Sequence, residues 1–133
     1  CIISNNQIIN SGIATAGSRG IEVGHGTGPN TKTIVTGNYI ENPTAMGIQI
    51  WKADEATVSN NIIINPGDIG IYVLLVARNR IIGNEINGAQ KDGIIIEKVT
   101  YSIVSNNTTI DCGQATNDTY YDPQSVENFM KER

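Results

Sequence analysis

Seven side chains here have the chemistry to hold or transform a polar substrate: Arg19, Glu22, His25, Gln49, Trp51, Lys52 and Tyr72. Removing a proton beside a carboxylate takes a base, and a cation or protonated acid must stabilise the enolate-like intermediate that results. His25, the only histidine, or Tyr72 is the right type for the base, and Arg19 or Lys52 for the charge stabiliser. Trp51 and Tyr72 offer flat apolar faces of the kind that stack on a sugar ring, while Glu22, Gln49 and Lys52 offer partners for its hydroxyls. Spread from position 19 to position 72, these residues act together only if the fold stacks them.

Two markers say that it does. An Asn recurs at Asn6, Asn38, Asn61, Asn84 and Asn107, with spacings of 32, 23, 23 and 23 residues. A Gly followed by alternating apolar positions recurs in "GIEV" (20–23), "GIQI" (47–50), "GIYV" (70–73) and "GIII" (93–96), each Gly from the second copy on lying nine residues after its Asn. A helical or leucine-rich repeat of this length needs an amphipathic helix or an L-x-x-L-x-L stretch in every unit, and neither is present. Short strands with Gly and Asn at the corners remain, which predicts a parallel β-helix.

Aligning the units gives the columns Ile21, Ile48, Ile71, Ile94 and Val23, Ile50, Val73, Ile96 after the Gly. Around the Asn it gives Ile3, Val35, Val58, Ile81, Val104 and Ile8, Ile40, Ile63, Ile86. All are β-branched and aliphatic. Successive rungs lie ~4.8 Å apart and side chains alternate between faces, so these columns are expected to fill the interior. The recurring Asn is read as architecture: an amide that tolerates the bend and bonds to the rungs above and below. Outward columns follow from the same alignment: Glu22, Gln49, Tyr72, Ile95 in one, and Gly24, Trp51, Leu74, Glu97 in the next.

The units "GIQIW…VSNNIIIN" and "GIYV…IIGNEING" resemble the repeats of right-handed parallel β-helix proteins of the pectate-lyase-like superfamily, over residues 1 to about 113. That group includes polysaccharide lyases, mannuronan C5-epimerases, NosD-like proteins and many phage tailspikes. The resemblance implies a polysaccharide partner, a substrate groove on the sheet carrying the outward columns, and an extracellular, cell-surface or virion-associated setting. It makes β-elimination or C5-epimerisation of a uronate the candidate reaction, with His25 or Tyr72 as base and Arg19 or Lys52 as stabiliser. The epimerase-type "DPH" motif is absent, and Glu22, Asp54, Glu55, Asp68, Glu85 and Asp92 fall at different phases of the repeat rather than in one column. No metal site and no cofactor are expected. The plain structural roles are packing under a loop for Trp51 and a solvated position for His25.

The first unit is longer than the rest, by five residues between Asn6 and Gly20 and four between Gly20 and Asn38. The insertions "SGIATAGSRG" and "GHGTGPNTKT" carry Arg19, His25 and Lys32, and insertions in solenoids usually gather on a working face. Past Gly113 the repeat is no longer legible. Asp122-Pro123 reads as an N-cap and N1 pair, and Val126, Phe129 and Met130 as one apolar face, so a short capping helix is expected within a tail at 114–133. Cys1 and Cys112 would sit four rungs apart, ~19 Å, which excludes a disulfide between them. Asn107 matches the glycosylation pattern but is expected to face the turn interior.

With 133 residues the chain makes one domain, and its net charge of -4 without a basic run argues against nucleic acid as partner. Its apolar runs fall far short of the ~20 residues that span a bilayer, so no membrane partner is expected. Entry into the repeat at once from Cys1 predicts an uncapped first rung, covered by an upstream segment or by a second copy. The sequence thus predicts an all-β, right-handed parallel β-helix at 1–113, of about four full rungs and a partial fifth. Two functions fit it: a carbohydrate-facing module, or a non-catalytic structural or adhesive segment of a larger surface or tailspike protein.

Overall fold

The computed structural model describes residues 1–12, 17–24, 30–113 and 119–121, with Asn30 and the last three described through their backbone alone. Short segments rich in β-branched Ile, Val and Thr, with tight corners between them, favour extension over a helical turn. They form three five-stranded parallel sheets. The first sheet stacks Ile2–Ser4, Ile34–Thr36, Thr57–Ser59, Arg80–Ile82 and Ile103–Ser105; the second stacks Gln7–Ile9, Tyr39–Glu41, Ile62–Ile64, Glu85–Asn87 and Thr108–Ile110. The third stacks Ile21–Val23, Ile48–Trp51, Ile71–Leu74, Ile94–Glu97 and Thr119–Tyr121. A narrow ribbon, Asn30–Thr31 beside Ala53–Asp54, continues through a bridge between Ala77 and Thr100 and returns the chain to the first sheet.

The register agrees with the expected columns. Ile21, Ile48, Ile71 and Ile94 pair in line, as do Val35 with Val58 and Ile40 with Ile63 and Ile86. All but the first-rung members Ile3 and Ile8 are buried, and Ala53, Val76 and Val99 close the fourth side from the ribbon. Glycines at the entry to the third sheet are steric necessities. A Cβ on Gly47 would lie 2.5 Å from Ile63 Cγ2 and 2.7 Å from the carbonyl of Gly70.

The Asn ladder runs the length of the rod. The backbone N–H and Nδ2 of Asn38 both donate to Asn61 Oδ1, at 3.0 and 2.9 Å, and Asn61 repeats the pattern onto Asn84, and Asn84 onto Asn107. Each Nδ2 also donates backward, Asn61 to the carbonyl of Val35 and Asn84 to that of Val58. The left-handed bend does not fall on the ladder residue. It falls on the one before, in the column Asn5, Gly37, Asn60, Gly83, Asn106. A second buried polar column lies between ribbon and first sheet, where Asn79 Oδ1 accepts from the N–H of Ala56 and Asn79 donates its own N–H to Ser102 Oγ.

One strand lies beyond the expected boundary at 113. Thr119–Tyr121 pairs with Ile94–Ile96 in the third sheet, so the fifth rung crosses all three sheets. The expected capping helix from Asp122 lies outside the described residues.

Candidate functional site

The outer face of the third sheet gathers most of the residues singled out from the sequence. Parallel pairing without slippage sets Glu22, Gln49, Tyr72 and Ile95 side by side, and Trp51, Leu74 and Glu97 beside one another two positions on. Glu22 takes an ion pair from Arg19 at 3.5 Å. Across two strands, the Tyr72 hydroxyl donates to Glu97 Oε2 at 2.9 Å. Lys52, in the left-handed region at φ 52°, turns back so that Nζ stands 5.1 Å from the centre of the Trp51 ring, a cation–π contact.

Two of the expected roles change in this setting. Gln49 is only 4% exposed, so it does not present an amide to solvent, and its Oε1 has no hydrogen-bond partner among the described residues. Tyr72 has its pKa raised to about 12, first by burial and then by the hydrogen bond to Glu97 and that group's charge. It is a donor at neutral pH, ill suited to take a proton. Arg19 stands against Glu22 rather than open to an enolate, and His25 lies outside the described residues. Among the described residues no group of His, Cys, Asp and Glu is arranged to hold a metal ion, and Cys1 and Cys112 are free thiols, one exposed and one buried.

The pattern of rungs matches the family described as right handed beta helix region, across residues 1–126. The chain belongs to the right-handed β-helix family. No curated protein and no solved structure gives a significant match. The match passes beyond Gly113, in keeping with the strand at 119–121.

In this right-handed β-helix the sequence reading missed two corner columns that flank the ribbon. Lys52, Leu75 and Lys98 form one, and Lys32, Glu55, Arg78 and Tyr101 the other, all with positive φ. Their 23-residue spacing is present in the sequence, but their types vary so widely that no residue pattern marks them; only the backbone is conserved from rung to rung.

Proposed function

We propose that this β-helix binds a polysaccharide along the outer face of its third sheet. The observation that carries the reading is the placement of two aromatic residues on adjoining strands of one face, Trp51 and Tyr72, set diagonally two positions apart, with Lys52 over Trp51 and Glu97 bonded to Tyr72. Rings supply stacking area for the apolar face of a pyranose, and the charged groups supply hydrogen bonds to its hydroxyls. Register fixes the spacing, so a linear polymer parallel to the rod meets one outward position per rung, filled in turn by Glu22, Gln49, Tyr72 and Ile95. The resemblance to pectate-lyase-like repeats supports a uronate-bearing polymer and an extracellular, cell-surface or virion-associated setting. A lyase or epimerase reading rests on His25, because Tyr72 serves as a donor and Arg19 is engaged by Glu22.

The test is a glycan array that includes uronate polymers, coupled to ultraviolet detection of unsaturated product. Binding without product is expected, lost in Trp51→Ala with the melting temperature nearly unchanged, and weakened in Tyr72→Ala, which also gives up the stability of its hydrogen bond to Glu97. Product that disappears in His25→Ala would make the module catalytic. The second reading, a non-catalytic structural or adhesive segment, draws on the same contacts, since the charged groups and the phenol of the face are already engaged in Arg19–Glu22, Tyr72–Glu97 and Lys52–Trp51. Absence of binding to every glycan would favour it.

A further inference from the structure

Charge is sorted across this rod. The order around each rung is first sheet, second sheet, third sheet, ribbon, so the ribbon edge lies across from the second sheet. Of the seven described lysines and arginines, five stand along that edge: Lys32, Lys52, Arg78, Lys98, and Arg80 at the start of its first-sheet strand. The carboxylates among them are already engaged, Asp54 accepting the N–H of Ala77 at 2.8 Å and Glu55 pairing with Arg78 at 3.5 Å. The outer face of the second sheet and its following corner hold Glu41, Glu85 and Asp111 and no cation. A chain with net charge -4 therefore has one cationic edge and one acidic face on opposite sides.

Both surfaces also present apolar side chains to solvent. The acidic face exposes Ile9, Ile62 and Ile110, and the cationic edge exposes Leu75 and Tyr101. The last two sit at φ 56° and 50°. A bulky residue in the left-handed region costs roughly 1–2 kcal/mol, and the same two corners hold Lys52 and Lys98, and Lys32, Glu55 and Arg78, in the other rungs. At Leu75 and Tyr101, 42% and 71% exposed, burial within the fold offsets little of that cost. What sets Leu75 and Tyr101 apart from the charged residues of the same corners is the apolar surface they leave in water.

We infer that two copies of this chain associate side by side, the cationic edge of one against the acidic, isoleucine-studded face of the other. The argument is charge complementarity between two faces of one molecule, with apolar groups available to both. Such a contact is heterologous: one copy keeps its acidic face free and the other its cationic edge, so further copies add until the arrangement closes on itself or extends.

Sedimentation velocity of the 133-residue chain, from low concentration to ~100 μM, tests this across salt. Raising salt from ~0.01 to ~1 M shortens the Debye length from ~30 to ~3 Å and is expected to weaken association about tenfold or more. The variants Arg80→Glu/Lys98→Glu and Glu85→Lys/Asp111→Lys should each be monomeric, with unchanged circular dichroism, while their equimolar mixture co-assembles. A chain that is monomeric throughout overturns the inference and leaves the two faces to a partner other than itself. So does association that ignores salt and survives both reversals, because it would then run through the ends of the rod.

Discussion

The amide ladder shows how one residue type can hold a corner that neither water nor a strand can reach. Asn61 Oδ1 takes two hydrogen bonds from Asn38, whose own amide is buried. Asn61→Ala strands both donors, and with about 1–3 kcal/mol for each unsatisfied buried group the loss should be about 2–6 kcal/mol. Asn6→Ala, at the exposed end of the ladder, should cost clearly less. Equal urea midpoints for the two variants would remove the ladder from the stability argument. Tyr72 gives a pH prediction at the same scale. Its phenol titrates near 10 when unfolded and at about 12 in the fold, so its neutral form is favoured by folding. That contribution is fully present below pH ~10 and is lost as pH rises through about 12. Urea midpoints should fall more steeply over this window in the native chain than in Tyr72→Phe, and phenolate absorbance should report the same shift.

Corners and strands divide the work differently from what their sequences advertise. The strands were legible: alternation of Ile and Val with polar residues, repeated every 23 positions, placed each core column that the structure pairs. Tyr72 and Gln49 were placed in the right column but given the wrong availability, because a strand pattern tells which face a side chain takes and not what covers it. The fifth strand at 119–121 was invisible because Thr119-Tyr120-Tyr121 follows an irregular spacing and lacks the Gly-Ile opening. The left-handed corners were hidden for a different reason. At Gly83 a Cβ would lie 2.8 Å from Asn60 Oδ1, so that amide must move to admit a side chain, whereas at Leu75 the same backbone carries a large residue. Gly83→Leu should therefore destabilise by at least the ~1–2 kcal/mol of left-handed strain. Leu75→Gly should be neutral or stabilising by up to ~1 kcal/mol, the relief of strain being partly offset by unfolded-chain entropy. Thermal melts of the pair measure the difference.

For the molecule as a whole, stability is distributed along a single aliphatic axis with contacts only between successive rungs. Ile71→Asp places an unpaired charge where nothing can solvate it, at a cost comparable with the ~5–15 kcal/mol that separates a typical domain from its unfolded state. The variant should fail to fold, and a soluble product with native circular dichroism and melting would show that the axis runs elsewhere. The strict step between equivalent seats reaches further than energetics. Thr57 and Arg80 hold the same seat, as do Val58 and Ile81, in rungs 23 residues apart. Excision of residues 58–80 would splice Thr57 to Ile81 without turning any side chain from one face to the other, whereas removing one residue fewer would invert the pattern of every strand downstream. Rod length is thus a whole-number trait. Loss or duplication of one 23-residue unit shortens or extends it a rung at a time, each product inheriting a foldable chain with a longer or shorter reach.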